Sequence, residues 1–252
     1  MGSLESNPTA LPPVSDHAYW FTNGGFVKIR LLVATLAAAL LVPLAPAADA
    51  SAALGYGRGE CRPGTPAIAP ATEKFFDPAR PELGPKPLPR SGVVGPLLHG
   101  YQRFGTLTEA DFVARFRDGA NWVYPPDDGF MTHGDMVDRN PVELAAGARL
   151  DRFGFPGGSF LAPVRTPYTD RALPPQNLTT PQGAPQANYH VYCVAKPFTV
   201  DGGMTAPWFG QHGMGMQYKL MPGYLPDAGT SLSVTWLLDH GYLVEELPAV
   251  RG

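Results

Sequence analysis

The stretch that decides the fold is Leu150-Asp151-Arg152-Phe153-Gly154-Phe155-Pro156-Gly157-Gly158-Ser159-Phe160-Leu161-Ala162. Leu150–Phe153 reads as a strand entering a turn, and Ser159–Ala162 as a strand leaving it. Gly and Pro fill the turn between, where they supply left-handed or fixed backbone. Outward from this unit, Tyr189–Val194 has strong strand propensity, with β-branched and aromatic residues in succession. Upstream, Val142–Ala146 is a short, mostly apolar stretch interrupted by Glu143. Downstream, Thr205–Phe209 leads into another strand, and the flexible Gly210–Gly215 precedes Met216–Leu220. Tyr242-Leu243-Val244 suggests a final strand.

Two helices flank these runs. One opens at Leu107 with Thr108 as its cap, carries Phe112, Val113 and Phe116 on one stripe, and ends at Gly119. The other spans Ser231–His240, with Val234, Leu237 and Leu238 on one side and Gly241 closing it. Residues 53–96 are rich in Gly and Pro and read as an extended arm. Strands predominate after residue 150, and no βαβ repeat or internal repeat is present. The expectation is an α+β fold: one compact domain with a central, mainly antiparallel β-sheet, short flanking helices and a Gly/Pro-rich N-terminal arm.

Composition agrees. The 252 residues include 29 Gly and 29 Pro, about twice the usual share of that pair. A helical bundle is disfavoured, and the glycines lack the three-residue period of collagen. With 44% hydrophobic, 11% aromatic and only 16% charged residues, the chain is not disordered throughout. A formal charge of -3 gives no electrostatic case for nucleic acid.

Lys28 and Arg30 precede the apolar run Leu31–Leu44, and small residues follow at Ala48-Asp49-Ala50 and Ala50-Ser51-Ala52. This is the layout of a secretory signal over 27–50; a membrane anchor or buried helix is the alternative. Residues 1–26 read as a non-native or unstructured extension, with Val27 as the true start. The rest divides into an arm and helical subdomain, 51–119, and a catalytic domain, 120–252. No other segment reads as transmembrane, so secretion without a stable membrane partner is expected. Cys61 and Cys193 allow one bridge, as an oxidising compartment permits, or two separate buried thiols.

Several chemistries are excluded by pattern. There is no phosphate loop, no strand–GxGxxG–helix signature, no His-Glu-x-x-His and no Gly-x-Ser-x-Gly elbow. Asp127, Asp128, Asp135 and Asp138 fit a turn and solvated surface as well as calcium, and no metal is expected. Arg149 and Arg152 flank the Gly154–Gly158 turn, and Arg171 sits at another. Guanidinium groups suit phosphates and aromatic faces suit flat rings. An arginine–aromatic ligand cleft and solvated arginines beside core aromatics both fit.

Ordered blocks narrow this choice. Tyr124-Pro125-Pro126-Asp127-Asp128-Gly129-Phe130 is followed by Leu150-Asp151-Arg152-Phe153-Gly154, Phe160-Leu161-Ala162-Pro163, Thr166-Pro167-Tyr168 and Arg171-Ala172-Leu173-Pro174-Pro175. Then come Tyr189-His190-Val191-Tyr192, Ala206-Pro207-Trp208-Phe209-Gly210-Gln211 and Gln217-Tyr218. This order resembles the family of the tuberculosis necrotizing toxin and the fungal conidial-surface NAD glycohydrolases, and is most similar to the fungal branch. The resemblance implies cleavage of NAD+ and NADP+ into nicotinamide and ADP-ribose or its phosphate, with the dinucleotide as substrate and no cofactor. It places the site on Arg152, Phe160, Arg171 and Gln217, with His190 as a further substrate contact or a structural strand residue. The toxin has tyrosine where this chain has Phe160, which preserves a stacking role only.

In this reading Arg152 and Arg171 hold the pyrophosphate, Phe160 packs on nicotinamide or its ribose, and Gln217 binds the reacting ribose or carboxamide and places water. Trp208 or Phe209 forms an aromatic wall or belongs to the core. The fungal enzymes imply a homodimer and a C-terminal calcium site, the latter not expected in a chain ending at Gly252. A toxin role implies an immunity partner. The competing functions are ADP-ribosyl transfer, for which Glu245 and Glu246 are the late acidic residues, and a non-catalytic secreted nucleotide-binding protein.

Overall fold

The structure, a computed structural model, describes residues 59–249, which fall within one compact unit, Ala47–Gly252. The extension at 1–26 and the signal peptide at 27–50 lie outside the described residues. No helix among the described residues is long and apolar enough to cross a membrane.

In chain order the elements are α1 (Glu109–Phe116), β1 (Arg117–Asp118), β2 (Asn121–Trp122), β3 (Thr132–His133), β4 (Met136–Val137), β5 (Asn140–Leu144) and β6 (Arg149–Phe153). Then follow β7 (Phe160–Pro163), β8 (Tyr189–Val194), β9 (Phe198–Met204), β10 (Met216–Lys219), α2 (Val234–Asp239) and β11 (Leu243–Glu246). Seven strands form one sheet in the order β11-β8-β6-β7-β10-β9-β5, and its paired strands run antiparallel. The α+β expectation with a mainly antiparallel sheet holds.

The quoted stretch forms the middle of this sheet. Leu150 pairs with Pro163 and Asp151 with Ala162 across β6 and β7. On the other edge of β6, Leu150 faces Tyr192 and Arg152 faces His190. All six residues of β8 are buried, as expected of a strand covered on both faces. On one face, Leu150, Leu161, Tyr192 and Val194 pack with Val234 and Leu237 of α2. On the other, Phe153, Tyr189 and Val191 pack with Leu97, Tyr168 and Leu178. A third cluster joins Phe112 and Phe116 of α1 to Leu83 and Phe209. Burial of each such aromatic stabilises by about 1.5–3 kcal/mol.

The helix cap read from the sequence is made, and the structure adds a second. The Thr108 side chain accepts from Asp111 N, and the Ser233 side chain accepts from Trp236 N. Several boundaries differ: α2, expected over Ser231–His240, spans Val234–Asp239. α1 stops at Phe116, and the next residues form the β1–β2 hairpin, with Arg117 opposite Trp122; the Arg117 guanidinium lies 4.7 Å from the Trp122 ring. The strand expected after Thr205–Phe209 lies before it, as β9. Gly202 and Gly203 sit inside β9 because neighbours fill their side-chain space: a Cβ on Gly203 would lie 2.2 Å from Asp138 O, and one on Gly202 2.7 Å from Val142 Cγ2.

Cys61 and Cys193 form a disulfide, with Cα atoms 5.6 Å apart. It ties the arm to β8. Arg149 reinforces that tie: its guanidinium donates to both Glu246 carboxylate oxygens at 2.8 and 3.0 Å and to the carbonyls of Gly59 and Glu60 at 2.8 Å each.

Candidate functional site

A cavity of about 450 Å³ opens where β6, β7 and β10 meet the turns at 124–129 and 168–174. Phe160, Arg152, Arg171 and Gln217 all line it. Each arrives on a different element. Phe160 begins β7, opposite Lys219 of β10. Gln217 is two residues before Lys219 on the same strand, so both point to one face of the sheet.

Arg171 closes the 3-10 turn Tyr168–Arg171 and is only 8% exposed. Its Nη2 lies 2.5 Å from Asp151 Oδ1, and its Nε and Nη2 donate to Thr166 O at 3.0 and 2.8 Å. The guanidinium also stands 5.2 Å from the Phe153 ring centroid. Asp151 is fully buried. Its Oδ2 accepts from Tyr189 Oη at 2.7 Å and from Arg165 N at 2.8 Å. Oδ1 meets Arg171 as a close ion pair but not along a hydrogen-bond direction. Complete burial pushes the Asp151 carboxyl above the usual range, against the pull of Arg171 and Tyr189.

Arg152 contributes differently. Its Nε donates to Phe155 O at 2.9 Å and its Nη1 to Phe160 O at 2.7 Å. The guanidinium therefore clasps the turn between β6 and β7. Gly158 is needed beneath it, since a Cβ there would lie 2.1 Å from Arg152 Nη2. Gln217 Nε2 donates to Asp128 O at 3.1 Å. Tyr124, 60% exposed, forms part of the rim and meets Phe209 edge-on at 5.6 Å.

The structure sets His190 and Trp208 apart from this group. His190 is buried in β8, with Nδ1 2.6 Å from Glu245 Oε1 and Nε2 2.9 Å from Asn188 Oδ1, and its ring stacks on Tyr192. Trp208 donates from Nε1 to Val123 O at 2.7 Å and packs on Phe116. Neither lines the cavity. A larger hollow of about 660 Å³ lies beside Arg149 and Glu246, but Arg152, Phe160, Arg171 and Gln217 are not among the residues that line it.

Sequence reading missed Asp151, Lys219 and the role of Asp128. Asp151 stood inside the quoted Leu-Asp-Arg-Phe-Gly block, yet nothing local marks a carboxylate that will be wholly buried. Asp128 read as a turn or surface residue, or a calcium contact. In the structure its carboxylate pairs with Lys219 Nζ and accepts from Arg139 Nη1 at 2.9 Å. Burial raises its pKa, but these two cations more than offset that, holding the carboxyl below the usual range.

Comparison with known proteins gives three findings. The family model described as Tuberculosis necrotizing toxin matches residues 143–245. The conidial surface nicotinamide adenine dinucleotide glycohydrolase nadA of Aspergillus fumigatus is 40% identical over 171 residues, which cover 65% of this chain and 68% of that protein. Among solved structures, tuberculosis necrotizing toxin complexed with its immunity factor aligns over 73% of this chain and 99% of that one, at 18% identity and a TM-score of 0.45.

Proposed function

The chain belongs to the family of the tuberculosis necrotizing toxin and the conidial surface NAD glycohydrolases, and from that premise we propose that it cleaves the nicotinamide–ribose bond of NAD+ in the β6–β7–β10 cavity. One observation carries the assignment to this cavity: Arg152, Phe160, Arg171 and Gln217, distant in sequence, line one hollow.

The chemistry asks little of acid catalysis. The pyridinium nitrogen of NAD+ already bears positive charge, so nicotinamide leaves neutral and needs no proton. The demand is placement, stabilisation of an oxocarbenium-like ribosyl centre, and a water on the correct face. The cavity's two carboxylates suit that demand. Asp128 is held ionised between two cations, and Asp151 is buried against Arg171. Phe160 offers a flat face to the nicotinamide or ribose. Arg171 supplies positive charge to the pyrophosphate from a fixed position. Arg152 shapes the β6–β7 turn and adds charge at the rim. Gln217 presents a hydrogen-bonding group to the ribose, the carboxamide or the attacking water.

The finer parts of the proposal are cleavage of NADP+ to nicotinamide and phosphorylated ADP-ribose, release outside the cell, a homodimer, and a protective immunity partner. The Cys61–Cys193 bridge supports an oxidising compartment. The test is product analysis after incubating purified protein with NAD+ and, separately, with NADP+. Free nicotinamide with stoichiometric ADP-ribose or its phosphate supports hydrolysis. Label on an acceptor with little free ADP-ribose would mean transfer instead. Folded protein that releases no nicotinamide over a broad pH range would overturn the proposal.

A further inference from the structure

Asp128 stands in the cavity wall in an unusual backbone state. Asp127, Asp128 and Gly129 have φ of +53°, +58° and +76° in succession. Side chains other than glycine rarely adopt this left-handed region, and such strain persists only where surrounding structure enforces it. Here the turn is pinned by Gly129 N donating to Pro126 O, Phe130 N to Asp127 O, and Ala206 N to Gly129 O, at 2.9, 3.1 and 2.8 Å.

The geometry gives Asp128 two links to β10. Its backbone carbonyl accepts from Gln217 Nε2 at 3.1 Å, and its carboxylate Oδ1 pairs with Lys219 Nζ. A carbonyl oxygen can only accept. The Gln217 amide must therefore turn its NH2 toward Asp128 and leave Oε1, an acceptor, for the cavity. The second link concerns charge. Lys219 does not line the cavity, but its Nζ lies 5.6 Å from the centroid of Phe160, which does. An uncompensated cation this close to the ring would oppose a cationic nicotinamide and a developing ribosyl cation held against it. Oδ2 of Asp128 also takes Arg139 Nη1, and Arg139 is balanced in turn by Asp201 at 3.5 Å. Asp201 accepts from Tyr224 Oη at 2.8 Å.

We infer that Asp128 is a positioning residue for NAD+ cleavage: its carbonyl sets Gln217 as an acceptor, and its carboxylate cancels the Lys219 cation beside Phe160. This rests on the function proposed above. A residue that merely held the turn would not discriminate between substrates by charge, and that separates the two roles.

The test uses Asp128→Asn, which keeps the backbone carbonyl and tolerates a left-handed backbone but removes the charge. Expected is a fall in kcat/KM on NAD+ of about 10- to 100-fold, with affinity for NADH, whose nicotinamide ring is neutral, changed by less than about threefold. Adding Lys219→Met to that variant should restore about tenfold of the loss. Lys219→Met alone, a second route should Asp128→Asn fold poorly, should raise the preference for NAD+ over NADH by about threefold or more. Equal losses toward NAD+ and NADH, a double variant no better than the single one, or an unchanged preference in Lys219→Met would each overturn the inference. So would Asp128→Asn that retains full kcat/KM. Absence of nicotinamide release by the unmodified protein would instead refute the functional proposal itself.

Discussion

The two halves of the central sheet share one apolar core and differ in what is added to it. In the β11–β8–β6 half, β8 is buried along its whole length, a disulfide fastens it to the arm, and Arg149 clamps the same arm to Glu246. In the β7–β10–β9–β5 half, Leu144, Leu161, Phe198 and Val200 share the apolar core, but every residue of β10 keeps partial exposure, and polar contacts are added: Asp128 with Lys219 and Arg139, and Asp201 with Arg139 and Tyr224. Left-handed backbone at Asp127, Asp128 and Ala172 borders the cavity beside this second half. One half secures the fold by dry burial and covalent closure. The other keeps polar groups and strained turns at a solvent-accessible hollow, as a binding site requires.

The largest effect is expected where the halves meet. Arg171→Met leaves Asp151 buried without its counter-charge and should cost about 3–5 kcal/mol of stability in denaturant unfolding. A loss below about 1 kcal/mol would show that Asp151 does not depend on this pair. Next comes the covalent closure. Replacing Cys61 and Cys193 together by Ala should cost about 2–5 kcal/mol, with nicotinamide release per folded molecule unchanged. A matching loss of activity would break the division between a stability half and a site half.

A smaller effect follows from acid. The folded-state pKa of Asp128 lies below its ordinary value of 3.8. Its charged contacts therefore stabilise the fold above that value and are lost as pH falls through the depressed pKa. The Tm gap between the unmodified protein and Asp128→Asn should narrow as pH drops below about 4. A gap that widens on acidification would reverse the sign assigned here. Smallest of all, Ser233→Ala should remove about 1 kcal/mol through the α2 cap and leave turnover untouched.

Local chemistry made much of the first half readable. β6, its Gly-rich turn, β7 and β8 follow from strand propensity and turn residues, and Thr108 and Gly241 mark helix ends. β9 escaped because Asp201-Gly202-Gly203 reads as a turn. Only the close approach of Asp138, Val142 and Tyr218 explains glycine within a strand. The site was less legible from residues alone. Phe160 and Gln217 emerged through ordered resemblance, and Arg171 was singled out by its guanidinium at a turn, but no local pattern announces that they share a cavity. Asp128 and Lys219 depend on a left-handed turn meeting β10 in one register. The guanidinium of Arg152, read as a phosphate ligand, has two of its donors on the carbonyls of Phe155 and Phe160, a partnership created by the turn geometry.

Cleavage of NAD+ in the β6–β7–β10 cavity is tested by the initial rate of nicotinamide release by the purified protein and by Gln217→Ala, at matched concentrations of folded material. Steady release is expected of the unmodified protein, and a fall in kcat of about 100-fold in the variant, with Tm nearly unchanged. Near-normal kcat in a folded Gln217→Ala would contradict cleavage in this cavity.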